Sequence, residues 1–138
     1  MRVTAFLLLS LALAAGTPAA RQKSKWVRVH TYDDAVIEME EINLSFGNFG
    51  RVRFRTVFKE PRPLHGKPGV KFKTVVEDTE LMCAERMYRL AGAAYFDAKG
   101  ASVYSYKAGG DEGWEEVRTH MMLKLLTPAC RMIEKKRL

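Results

Sequence analysis

The sequence predicts an α+β domain in which successive β-strands are followed by one C-terminal amphipathic helix, with a disulfide stapling helix to sheet. Three observations carry this prediction. Apolar and polar residues alternate with a period of two in runs between Trp26 and Lys107. Beyond Trp114 the period lengthens to about 3.6. Two cysteines, Cys83 and Cys130, stand behind a leader that reads as an export signal.

In the leader, Arg2 supplies a positive start, Ala5 to Ala15 (AFLLLSLALAA) is apolar, and Thr17-Pro18-Ala19 is a small-residue cleavage site. Residues 1–19 are therefore expected to be a signal peptide and residues 20–138 one domain. The apolar stretch is too short to span a bilayer as a helix, and the mature chain is expected to hold no transmembrane segment. No cysteine lies near the cleavage site, so lipidation has no acceptor. In an exported chain two cysteines are expected to pair. The bridge would close a loop of 47 residues, which stabilises by about 4 kcal/mol in the chain-entropy model.

Trp26 to Thr31 (WVRVHT) alternates, Asp33-Asp34 turns the chain, and Ala35 to Glu40 (AVIEME) forms a second strand. Ser45 to Gly50 (SFGNFG), with two glycines and an asparagine, separates this pair from Arg51 to Phe58 (RVRFRTVF), the clearest half-buried strand. There Val52, Phe54 and Phe58 share one face, and Arg51, Arg53 and Arg55 the other. Lys59 to Gly69 holds three prolines and two glycines and is expected to be an exposed loop, because proline lacks the donor a ladder needs. Val70 to Cys83, Glu85 to Phe96 and Ala101 to Lys107 read as further strands, the last two joined by the four-residue turn Asp97 to Gly100. Glu85 to Phe96 also fits a helical stripe, but Gly92 and the turn that follows favour a strand. In the final segment Met122, Leu125, Leu126, Ala129, Cys130 and Ile133 share a helical face. Pro128 is expected to break or kink this helix, with Thr127 capping a restart.

These elements, taken in order, resemble a known family. Trp26-Val27-x-Val29, Val36-Ile37-Glu38 with Ile42, the RVRF strand followed by Lys-Glu-Pro, Cys83-x-x-Arg86-x-Tyr88, Tyr95-Phe96-Asp97-x-x-Gly100 and Trp114-x-x-Val117 before a helix with the second cysteine are similar to the bacterial surface-adhesin protein E-like domain. The resemblance covers nearly the whole of residues 20–138. It implies a curved antiparallel sheet of about six strands with the helix tethered to its concave face. It also implies a role in binding partners at the cell surface or in the envelope. The chain departs from the family in lacking a lipidation cysteine, and in carrying Arg118 where a proline usually follows the Trp-x-x-Val element. Thr119 can cap the helix there instead.

Catalysis has little to build on. His30, His65 and His120 fall on a strand, a loop and a helix start, and no Gly-x-Ser-x-Gly element or phosphate-cradling loop occurs. No His, Cys or carboxylate pair has metal-ligand spacing, so neither metal nor cofactor is expected. A small secreted hydrolase is the weakest reading.

Binding fits better. Discounting Arg2 leaves 22 Lys and Arg against 16 Asp and Glu, a net charge of about +6. Outside the cytoplasm such charge faces polyanionic glycans and acidic protein patches, with intracellular nucleic acid out of reach. The candidate contact residues are Arg62, Lys67, Lys71 and Lys73, with Tyr104 and Tyr106 on one strand face. The Arg51, Arg53, Arg55 stripe is expected to be neutralised, because Glu38 and Glu40 share its period on the preceding strand. The sequence thus points to an exported, non-catalytic module that binds a protein or a polyanionic glycan. The alternative is a structural periplasmic protein that binds another envelope component, and an exposed edge strand would allow a homodimer.

Overall fold

A computed structural model describes residues 25–40, 44–46, 49–110 and 113–135; the expected signal peptide lies outside them. The chain runs β1 (Trp26–Thr31), β2 (Ala35–Glu40), β3 (Leu44–Phe46), β4 (Phe49–Pro63), β5 (Lys71–Met82), β6 (Met87–Phe96), β7 (Ser102–Lys107), β8 (Glu115–Glu116) and α1 (His120–Lys135). One antiparallel sheet orders the strands β1-β2-β4-β5-β6-β7, with β3 paired to β4 and β8 to β6. The six long-path strands, the helix and the disulfide agree with the expected class.

The turns close as their residues dictate. Tyr32 N donates to Ala35 O at 2.8 Å across Asp33-Asp34. In the β6–β7 hairpin Asp97 Oδ1 accepts from the amides of Lys99 and Ala101, each at 2.9 Å, and Gly100 takes φ 84°, where a side chain would be strained.

One sheet face carries the core. Ile37, Met39, Val52, Phe54 and Leu81 are buried against Val117 and the helical residues Leu126, Ala129 and Ile133. Gly50 admits this packing, since a Cβ there would lie 2.3 Å from Ile133 Cδ1. Burial of Leu126 and Ile133 contributes about 1.5–3 kcal/mol each. The Cys83–Cys130 disulfide, with Cα atoms 5.7 Å apart, ties the turn after β5 to the middle of α1.

Several local expectations are corrected. Part of the Ser45 to Gly50 segment is strand: Leu44–Phe46 pairs back on β4, and residues 47–48 lie outside the described residues. β4 does not end at Phe58 but continues to Pro63, through a bulge between Val57 and Arg62. Pro61 falls inside that bulge and Pro63 at the end of the ladder, the two settings where a missing N–H is tolerated. The following loop is not wholly exposed, because Leu64 is buried and its amide donates to Val70 O at 2.9 Å. Glu85 and Arg86 belong to a turn, and the rest of that run is strand. Gly92 is required where β6 meets β7, since a Cβ would sit 2.9 Å from Tyr106 O.

The largest correction concerns the helix break and Thr127-capped restart expected at Pro128. The helix runs unbroken from His120 to Lys135 with the proline inside it. Thr127 caps nothing; its hydroxyl donates to Leu123 O at 2.7 Å. An interior proline costs about 3 kcal/mol, but Leu126 before it and Ala129, Cys130 and Ile133 after it are all anchored to the sheet. Tertiary packing therefore overrides the local preference. At the helix start Met122 N donates to Thr119 Oγ1 at 3.2 Å, the expected cap.

Candidate functional site

The two faces of the sheet differ in chemistry, and the register explains why. Glu38 stands opposite Arg55, Arg53 opposite Asp78, and Arg51 and Arg89 both opposite Glu80. All of these side chains point away from the helix. Arg55 Nε donates to Glu38 Oε2 at 2.7 Å. Arg53 lies between Glu40, at 3.3 Å, and Asp78, at 3.5 Å. Arg89 pairs with Glu80 at 2.5 Å. The Trp26 ring lies under the Arg55 guanidinium at 4.4 Å, and Trp114 under that of Arg89 at 4.7 Å. The neutralisation of Arg53 and Arg55 by Glu40 and Glu38 is thus as the shared period of two predicts, and Asp78, Glu80 and two indoles extend it. Arg51 differs: its Nε is buried without a hydrogen-bond partner among the described residues.

The helix-bearing face has two halves. The helix covers the half built from Met39, Val52, Phe54 and Leu81. On the other half, aromatic rings touch in one continuous row. Phe58 meets Phe72 at 5.7 Å between centroids, Phe72 meets Tyr95 at 5.0 Å, Tyr95 meets Tyr104 at 5.8 Å, and Tyr104 meets Tyr106 at 6.3 Å. The register Ile37–Thr56–Val75–Tyr95–Tyr104 puts the tyrosines on the same face as the core. Each ring of the row is only partly buried.

Two of the four candidate cations join this row. Arg62 sits over Phe58 at 4.5 Å and is also ion-paired with Asp34. Lys67 Nζ lies 4.7 Å from the centroid of Tyr104. Lys71 is exposed opposite Pro63 at the start of β5, and Lys73 is half-buried on the same strand next to Phe72. The candidates therefore do not form one equivalent cluster. Arg62 is held by a carboxylate, Lys67 by a ring, and Lys71 has the greatest freedom to meet a ligand.

Between the row and the helix lies a cleft of about 240 Å³, lined among others by Phe54, Glu77, Tyr88, Leu90 and Leu125. Burial raises the Glu77 pKa above the ordinary carboxylate value. The Tyr95 hydroxyl is also pushed up, by burial first and then by the charges of Glu77 and Tyr104. Protonated, Glu77 can donate one hydrogen bond into the cleft; ionised, it is an acceptor only.

No catalytic grouping is visible among the described residues. His30 packs edge-on against Tyr32 at 4.4 Å, while His65 and His120 are exposed on a loop and at the helix start. Among the described residues no cluster of three or more His, Cys, Asp or Glu could hold a metal ion. No described helix is long and apolar enough to cross a membrane.

The sequence singled out Tyr104 and Tyr106 but missed Phe58, Phe72 and Tyr95 as their partners. The signal was present as aromatics recurring on neighbouring strands; their alignment depends on the irregularity at Val57–Arg62 in β4 and on the extra residue, Ala91, that β6 carries opposite Asp78–Thr79. Compared with curated proteins and with solved structures, the chain finds no significant match in either. The family model for surface-adhesin protein E matches residues 26–131, from the first residue of β1 into α1. The chain belongs to the surface-adhesin protein E family.

Proposed function

We propose that the protein is an exported, non-catalytic binding module whose contact surface is the aromatic row with its basic fringe, and whose ligand is a polyanionic glycan carried on a cell or on another protein. The observation that carries this reading is the row itself: five rings in unbroken contact, left uncovered by the helix, with Arg62 and Lys67 over rings of it. Sugar rings present an apolar C–H face that stacks on an aromatic ring, and their sulfates or carboxylates would meet Lys67, Lys71 and Lys73. Family membership supports a non-enzymatic role at the cell surface. On the opposite face Arg53, Arg55 and Arg89 each already have a carboxylate, which leaves those three guanidiniums less free to recruit an anion.

Heparin affinity at several salt concentrations tests this. The triple variant Lys67→Gln, Lys71→Gln, Lys73→Gln should bind more weakly and with a shallower salt dependence, because fewer counterions are displaced. Retention unchanged from the parent at every salt concentration would remove the basic fringe from the account. Protease treatment of intact cells tests the location: cleavage supports surface display, whereas protection until the outer membrane is opened supports the periplasmic alternative.

A further inference from the structure

We propose a second binding site, separate from the aromatic row, for a free fatty carboxylate in the cleft beside the disulfide. The cleft measures about 240 Å³ and opens between the β5–β6 turn and α1. Its floor is Leu81, Val117 and Leu126, all buried, and its sides include Met82, Met87 and the Cys83–Cys130 bridge. An apolar cavity of ~150 Å³ is large enough to hold benzene, so this cleft has room for a longer apolar group. The methionine walls adapt to a flexible chain.

Charge at the rim selects the head group. Arg86 and Arg131 line the opening with Glu134, two guanidiniums to one carboxylate. Both arginines are exposed, and neither forms an ion pair among the described residues. A carboxylate at the end of an apolar chain matches that arrangement, with bidentate contact to a guanidinium.

Arg86 carries a second observation. It is the one non-glycine residue with positive φ among the described residues, at 56°, whereas Gly66, Gly69, Gly100 and Gly110 serve the other left-handed positions. Its amide donates to Cys83 O at 3.3 Å and its carbonyl accepts from Val117 N at 2.9 Å, so the turn holds it in place. Glycine would adopt this conformation without strain. A side chain kept where glycine is favoured points to a use for that side chain, and the use available here is the rim of the cleft.

The same feature separates binding from folding. Arg86→Gly removes the guanidinium while relieving the backbone, so the variant should melt no lower than the parent. Decanoate below its micelle concentration is titrated into protein carrying methyl-labelled methionine, with decanol as the uncharged control. The Met82 and Met87 methyl signals should shift saturably with decanoate. Arg86→Gly should weaken that binding about tenfold, the scale of one charge-assisted contact, and Arg131→Gln should weaken it in the same direction. Unmoved Met82 and Met87 signals would overturn the proposal, as would unchanged affinity in Arg86→Gly or equal affinity for decanol. Capture by phosphatidylglycerol vesicles without a response to free decanoate would also overturn it, because the acyl chain would then belong to a bilayer.

Discussion

Removing the disulfide by Cys83→Ala with Cys130→Ala tests how the helix is held. The bridge closes a loop of 47 residues, and the chain-entropy model assigns it about 4 kcal/mol, within the 2–5 kcal/mol seen when native bridges are removed from small secreted domains. Against this stands the apolar docking of α1. Leu126 and Ile133, buried to 5% and 2% exposure, contribute together about 3–6 kcal/mol. The two terms are comparable, so the variant should still fold at low temperature with the helix docked but loosened. Its melting temperature should fall by about 10–20 °C, at roughly 4 °C per kcal/mol for a domain of this size. Hydrogen exchange should accelerate in α1 more than in β4 and β5. Differential scanning calorimetry reads the first effect and exchange mass spectrometry the second. The intact protein should show no free thiol in denaturant and two after reduction. An unchanged melting temperature would refute the reasoning, since docking would then rest on apolar contacts alone.

Other consequences follow from particular residues. Pro128→Ala should raise stability in urea denaturation by up to about 3 kcal/mol, because the helix is continuous through that position and regains a donor; a loss of stability would mean that the ring itself packs. Glu77 has a folded pKa above its ordinary value through burial, so its protonated form stabilises the native state. That contribution is present below the unfolded pKa and lost as pH rises through the folded one. Glu77→Gln should therefore be more stable than the parent at pH 7 and no more stable near pH 3; equal curves at both would refute the assigned burial. A double-mutant cycle on Glu38→Gln and Arg55→Gln should give a coupling of at most about 1 kcal/mol, because both groups retain solvent contact. A coupling several times larger would mean that the pair is more desolvated than its exposure indicates.

What the sequence made legible, and what it hid, follows the range of the interactions involved. The bounds of β1 and β2 could be read because alternation is local, and the pairing of Glu38 and Glu40 with Arg55 and Arg53 because both strands share one period across a single hairpin-like neighbour. The Cys83–Cys130 bridge needed only a cysteine count and the expectation of export. β8 was invisible: Glu115–Glu116 has no apolar residue, and it is a strand through backbone pairing with Met87 and Tyr88. β4 passed through Pro61 because a bulge accommodated it and ended at Pro63, and α1 passed through Pro128 because packing on both sides held it. The aromatic row was hidden for a related reason. Its rings come from four strands, and only the bulged register brings Phe58, Phe72 and Tyr95 into line with Tyr104.

The central claim is that ligand meets the aromatic row and leaves the opposite, self-neutralised face alone. Titrating a short heparin oligosaccharide while following aromatic NMR signals tests it most directly, because each face carries its own reporters. The account predicts that the rings of Tyr95, Tyr104 and Tyr106 shift saturably while the indoles of Trp26 and Trp114, stacked under Arg55 and Arg89, stay in place. Shifts at the two indoles with unmoved tyrosines would contradict it and move the binding surface to the charged face of the sheet.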